Sequence, residues 1–301
     1  MNNAKIKKHT LNLIRIIIGL GLAAGLIYMT LKQTDTDLRE HLLGSYIPLL
    51  GFAVFLYGIM LLLGAYRWQT LLKAQNIHIS FKNVCRLQFI GFFFNLVVPG
   101  AVGGDLVKMG FAVRRAPNQK TETVFSILVD RIVGLLGLFI VAAISVIVAF
   151  DRISALGTRY HIVETGAYIV ALCSAGGIAA FLALEFHHKL LQHKWVAPVL
   201  NKLSRKLPHK IIATAKRLIN ALNIYRRSRK TLAYALLMSV VVHTFLALAL
   251  FTVGQALNED RLIAREYFVT AQVSNAIASV PITPGGLGIR DKGTQEFFLA
   301  F

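Results

Sequence analysis

The chain reads as an all-α integral membrane protein, and three observations carry that reading. It is 55% hydrophobic and only 16% charged, whereas soluble domains run near about 25% charged; its mean hydropathy is +0.60. Stretches without a charged side chain occur at 46–66, 132–150, 165–184, 231–257 and 267–289, each near or above the roughly 20 residues that cross a hydrocarbon core of about 30 Å. Cations gather between these stretches: twelve Lys/Arg and no acid lie between Phe186 and Lys230. That is the bias of cytoplasmic loops beside anionic headgroups. The same placement accounts for the net charge of +19 without a nucleic-acid partner.

The first span is expected at 16–31, behind Lys5, Lys7, Lys8 and Arg15. Its far end, Tyr28-Met29-Thr30-Leu31-Lys32, has no small-residue cleavage site, so it reads as a retained helix with the N-terminus cytoplasmic. Gly21 and Gly25 within it allow close helix packing. Asp35, Asp37 and Glu40 mark an outer loop. Further spans are expected at 46–66, 122–150, 161–185, 231–253 and 266–282, about six in all. Arg67, Lys73, Lys82 and Arg86 follow the second span as a cytoplasmic signature.

The run 87–104 is long enough to cross, yet Gln88, Asn95 and Pro99-Gly100 interrupt it and cations flank both ends. Parity decides its path. If it crosses, the twelve-cation segment faces outward. If it enters and returns, 26 of the 33 Lys/Arg fall inside, six (Lys32, Arg39, Arg152, Arg159, Arg261 and Arg265) fall outside, and Arg131 lies within a membrane segment. The second arrangement satisfies the positive-inside rule, so 84–104 is expected to be a re-entrant hairpin. Within the basic segment 186–230, Ile211, Ala215, Leu218, Leu222 and Tyr225 share one helical face, which reads as an amphipathic helix lying on the inner leaflet. A single polytopic domain over 1–301 results, with a second broken segment at 266–292.

Two interrupted segments resemble each other. Asn95 to Lys108 contains Pro99, Gly100, Gly103, Gly104 and Asp105; Ser279 to Lys292 contains Pro281, Pro284, Gly285, Gly286, Gly288, Arg290 and Asp291. Placing Pro99-Gly100 on Pro284-Gly285 puts Gly103 on Gly288 and Asp105 opposite Arg290. Proline and glycine release backbone groups that lipid cannot satisfy, so such breaks line protein or a wet cavity. Asp130-Arg131 lies inside a span, where each charge costs roughly 2.5–3.5 kcal/mol unless it faces a bundle interior. Neighbours on a helix point about 100° apart, so each needs a partner elsewhere. Two readings follow: an ion-pair network holding the hairpins, or a cavity for a charged headgroup. In the second, Lys108, Arg131 and Arg290 hold a phosphate with backbone N–H groups at the glycine-rich helix starts, and Asp105, Asp130 and Asp291 orient them or meet an amine. Asn95, Gly100, Gly104, Gly285, Gly286 and Gly288 complete that candidate site. Gln272, Ser274 and Asn275 either line it or bond between helices, and His243 reads as a mid-span packing residue.

Motifs for other chemistry are missing from the sequence. It has neither a G-x-x-x-x-G-K-[ST] loop nor H-E-x-x-H, and no cofactor or metal is expected. Asp35-Thr36-Asp37 stands alone in a short polar loop. His187, His188 and His193 do not share a helical face, and Cys85 and Cys173 read as separate free thiols.

The motifs Pro99-Gly100 with Gly104, Asp105 and Lys108, the pair Asp130-Arg131, and Pro284-Gly285-Gly286 with Gly288, Arg290 and Asp291 resemble those of the lysylphosphatidylglycerol synthase transmembrane family, the flippase-like group that includes the membrane half of the bacterial multiple-peptide-resistance factor. Ala101 stands where the family often has arginine, and Asp105 where it often has glutamate. The family's soluble aminoacyl-transferase domain is not in this sequence. The resemblance implies translocation of a lipid between leaflets of a bacterial cytoplasmic membrane, by a transporter rather than an enzyme. The cargo would be an anionic or aminoacylated phospholipid or a polyprenyl-linked intermediate. A lipid-modifying or glycosyl-transfer enzyme and a scaffold for a lipid synthase remain the rival readings; a synthase partner and self-association stay open.

Overall fold

The computed structural model describes residues 44–97, 103–155, 228–279 and 289–301, with 165, 166, 168–170, 172, 176, 224 and 225 besides. The expected first span, most of the expected span at 161–185, and residues 211–222 of the expected interfacial helix lie outside the described residues. Within Ile47–Phe301 the described elements are all helical: α1 (Ile47–Ala74), α2 (Phe81–Val97), α3 (Gly103–Arg115), α4 (Lys120–Val148), α5 (Phe150–Ala155), α6 (Arg229–Ala256), α7 (Ala264–Ala278) and α8 (Ile289–Ala300). No strand occurs among the described residues.

Three of these helices, α1, α4 and α6, are long and apolar enough to cross a membrane. At 1.5 Å per residue they run about 42–44 Å, beyond a hydrocarbon core of about 30 Å. Their outer faces carry Phe52, Val54, Phe55, Ile144 and Leu237, all exposed. Large apolar side chains on the surface of such helices are matched to acyl chains rather than to water. The chain is a multi-pass membrane protein.

The frame is α1 against α6, the most extensive helix pairing, with α4 completing it. One end of the frame is basic, with Lys73 closing α1, Lys120 opening α4 and Arg229 opening α6. The other end holds Asp151, Arg152, Glu259, Arg261, Arg265 and Glu266. There, Arg152 Nε donates to Glu266 Oε1 at 2.8 Å, Arg265 lies 3.0 Å from Asp151, and Glu266 Oε2 accepts the Ile263 N–H at 2.7 Å to start α7. Glu266 is fully buried and fixes the α7 terminus against α5.

Two helical hairpins enter this frame from opposite ends. Asn76, with φ +57°, turns the chain out of α1, and α2 and α3 then run antiparallel from the basic end. Gln88 faces Lys108, and Asn95 faces Gly104. Gly104 is required there: a Cβ on it would collide with the Gly91 carbonyl oxygen, and another atom of that Cβ's surroundings, Asn95 Oδ1, is at 2.6 Å. From the far end, α7 and α8 run antiparallel, with Tyr267 on Phe298 at 5.3 Å between ring centroids and Gly293 beside Ser274. The four hairpin helices have 17, 13, 15 and 12 residues, about 18–26 Å each and shorter than the hydrocarbon core.

Tyr225 departs from the expected lipid-facing role. It is buried, its hydroxyl donates to the Leu71 carbonyl at 2.9 Å, and it packs with Val129, Val133 and Ala235. A tyrosine hydroxyl that finds a backbone acceptor can be buried in protein, and this one closes the basic end of the frame.

Candidate functional site

The centre of the bundle is an ion-pair hub. It is built where α3 of the first hairpin meets α1 and α4. Asp130 and Arg131, side by side on α4, have separate partners, as their angular separation requires. Asp130 Oδ1 accepts from Arg67 Nε at 2.8 Å, and its Oδ2 lies 4.0 Å from Lys108 Nζ. Arg131 donates through Nη1 to Asp105 Oδ2.

Arg67 is the residue that sequence reasoning misplaced. It was expected in a cytoplasmic loop after a span ending at Tyr66. Instead α1 continues to Ala74, and Arg67 is 8% exposed. A cation marks the end of a span only when no acid lies beside it; Asp130, 63 positions away, neutralises this one. Arg67 Nη1 also donates to Ser239 Oγ on α6 at 2.6 Å. Its guanidinium lies against Gly134, where a Cβ would approach to 3.3 Å. One side chain thus ties α1, α4 and α6 together. The hint was available in the period of α1, since Arg67 shares a helical face with the buried Met60, Gly64 and Leu71.

Lys108 is the most enclosed member, its side chain 3% exposed. Its ammonium donates to Gln88 Oε1 at 2.6 Å and lies 3.8 Å from the centroid of the Trp68 ring. Trp68 is itself fully buried, and its indole N–H is held by Ser126 Oγ at 3.2 Å. Asn95 Oδ1 accepts the Gly104 N–H at 2.9 Å and so satisfies a helix-start donor from within. The exposed edge of the hub is Arg131, whose side chain is 36% exposed beside the 19% exposed Asp105.

The second broken segment contributes elsewhere. Arg290 and Asp291, at the start of α8, line a cavity of about 850 Å³ whose walls include Leu50, Tyr57, Leu246, Asn275 and Arg261. Lys108, Asp130 and Arg131 are not among its lining residues. Arg290 Nε is 3.4 Å from Asp291 Oδ1, and both side chains are about half exposed. Of the sequence-derived candidates, Asn95, Gly104, Asp105, Lys108, Asp130 and Arg131 are therefore brought together. Arg290 and Asp291 are set on the cavity, and Gly100, Gly285, Gly286 and Gly288 lie outside the described residues.

Two interhelical hydrogen bonds through His243 lie between hub and cavity. His243 Nε2 is 3.1 Å from the Gly134 carbonyl, beside Arg67, and the His243 carbonyl accepts from Gln272 Nε2 at 2.8 Å. Gln272 neighbours Ala271, and both Ala271 and Asn275 line the cavity. Asn275 bonds to the Ala271 carbonyl within its own helix at 2.7 Å. Gln272 thus bonds between helices and Asn275 lines the cavity, which divides the two roles the sequence left open. No group of three or more metal-ligating side chains occurs among the described residues, and Cys85 is a free thiol.

A family described as lysylphosphatidylglycerol synthase TM region matches residues 16–301. A UPF0104 membrane protein of Pyrococcus horikoshii, PH1989, is 24% identical over 305 residues, covering 98% of this chain and 88% of that protein. No solved structure matches.

Proposed function

We propose that this chain, which belongs to the lysylphosphatidylglycerol synthase transmembrane family, moves a lipid with a charged headgroup between membrane leaflets, as one polytopic domain over 1–301. The observation that carries the proposal is the hub. Three cations (Arg67, Lys108 and Arg131) share two carboxylates (Asp105 and Asp130) inside a membrane bundle. A surplus positive charge at that depth is costly and suits a site that takes up an anionic group. Arg131 at the exposed edge would receive the phosphate first, with Lys108 reaching it once the hub rearranges.

The two hairpins supply the route. Read as re-entrant segments, 84–104 and 266–292 enter from opposite membrane faces, each built from helices shorter than the hydrocarbon core. The cavity carrying Arg290 and Asp291 is then the far station, with Arg261, Asn275 and Thr294 at hand and an apolar wall for an acyl or prenyl chain. Rocking of one hairpin against the frame would open the stations in turn, with acyl tails remaining in lipid. With the basic end facing the cytoplasm, the orientation obeys the positive-inside bias of a cytoplasmic membrane and leaves the N-terminus inside. The cargo class is an anionic or aminoacylated phospholipid or a polyprenyl-linked intermediate.

Lipids retained by the purified protein, identified by mass spectrometry, name the cargo. The same lipid is then followed by leaflet accessibility in liposomes. Protein-dependent redistribution without chemical change is the expected result. Conversion of the lipid supports a lipid-modifying or glycosyl-transfer enzyme instead, and neither outcome leaves a scaffold for a lipid synthase.

A further inference from the structure

We propose that Trp68, Gln88 and Asp130 form a binding site for a primary ammonium group, and that the chain's own Lys108 is its built-in occupant. The three walls come from three helices, α1, α2 and α4, and the ammonium is delivered by a fourth, α3. Lys108 Nζ lies 3.8 Å from the Trp68 ring centroid, 2.6 Å from Gln88 Oε1 and 4.0 Å from Asp130 Oδ2. An aromatic face, a neutral amide oxygen and a carboxylate oxygen are what a three-donor ammonium ion needs when it leaves water.

Two of the three walls are fixed without help from Lys108. Trp68 is pinned through Ser126, and Asp130 is oriented by Arg67, which in turn is held by Ser239. A groove for the alkyl stem is present as well. Lys108 Cδ and Cβ would lie 3.4 and 3.5 Å from a Cβ at Gly91, so the stem runs over a residue with no side chain. The site therefore matches a short alkylammonium in charge, donor number and shape.

A tethered lysine has a high effective concentration, so an incoming amine competes only when α3 shifts. The displaced Lys108 is then free to meet an anion arriving with that amine. The chemistry fits an amine-bearing lipid headgroup or a free amine alike. The assignment stands on the cage alone and holds whether or not lipid crosses the membrane.

The test is chemical rescue of full-length Lys108→Ala in detergent. Melting is followed with ethylammonium, with ethanol, and with an ethanolamine-headgroup phospholipid in mixed micelles. A ligand that binds only the folded state raises the melting temperature. Lys108→Ala is expected to melt below the unaltered protein and to recover saturably with ethylammonium, with no response to ethanol. The unaltered protein, its cage filled, should not respond. Adding Trp68→Leu or Gln88→Leu should abolish the recovery. Recovery with the lipid at much lower concentration than ethylammonium assigns the headgroup as the source; recovery with ethylammonium alone assigns the free amine. No recovery, equal recovery in the unaltered protein, or recovery that survives both wall substitutions overturns the proposal. If Lys108→Ala yields no folded protein, the readout becomes its yield when extracted in ethylammonium: restored yield supports the cage, and none overturns it.

Discussion

The two hairpins are similar in outline and opposite in construction. The first, α2–α3, is held by charge and by the absence of side chains. Lys108 and Asp105 reach across to Asp130 and Arg131 on α4, and Gly104 allows the two helices to touch. The second, α7–α8, is held along its length by aromatic and aliphatic packing, beyond the ion pairs at the start of α7. Tyr267 lies between Phe251 and Phe298, and Phe297 is buried against Val269 and Val273. Arg265 and Glu266 tie its first turn to α5 through Asp151 and Arg152, while Arg290 and Asp291 at the start of α8 line a cavity. The contrast separates stability from ligand access. Charges of the hub should be expensive to remove, and the cavity-lining Arg290 should be cheap to remove yet necessary for function.

The largest expected effect is therefore Asp130→Asn. It leaves Arg67 and Lys108 buried without their shared carboxylate, and breaking such a group costs about 3–5 kcal/mol. A large fall in melting temperature, or loss of folded protein on expression, checks this; an unaltered melt would show that the hub does not hold the bundle. Next is Gly104→Ala, which forces a methyl group into the Gly91 carbonyl and should cost about 1–3 kcal/mol, read by melting. Gln272→Ala removes one interhelical hydrogen bond to the His243 carbonyl, worth about 1 kcal/mol. If the hub and cavity are coupled through it, translocation in liposomes should fall by more than that stability loss explains.

Arg290→Ala sharpens the comparison most. Its side chain is half exposed and pairs only with its neighbour among the contacts described, so stability should change by no more than about 0.5 kcal/mol. Leaflet redistribution should be lost. Equal melting with full translocation would remove the cavity from the proposed route.

The smallest effect belongs to Glu259→Gln in the loop after α6. Arg261 holds the Glu259 carboxyl down to about 2 through a side-chain hydrogen bond, bidentate at 2.8 Å. A depressed carboxylate stabilises above its ordinary titration range and loses that contribution only as pH falls towards about 2. The pair is solvated, so the substitution should leave melting at neutral pH unchanged within about 2 °C.

Much of the first hairpin was legible in the sequence. The break at Pro99-Gly100, the flanking cations and the adjacent Asp130-Arg131 together pointed to a returning segment that meets a mid-span pair. Each is a local signal, readable from composition and helical geometry. The second broken segment was equally visible, but its partner was not. The matching positions of Asp105 and Arg290 suggested a shared chamber, whereas Arg290 lines a cavity with Leu50, Tyr57 and Leu246. Correspondence between two motifs says nothing about which surfaces they face.

By itself the sequence determined that this chain lies in a membrane, that two of its apolar runs carry glycine- and proline-rich motifs, and that Asp130 and Arg131 need distant partners. Those conclusions follow from transfer free energy and backbone hydrogen bonding, which depend on residues in a row. Only the tertiary structure decided that Arg67 belongs inside, that Lys108 is enclosed by Trp68 and Gln88, and that Tyr225 faces protein. The cost of burying a charge or a hydroxyl depends on what lies across from it, and that is a property of packing between segments far apart in the chain.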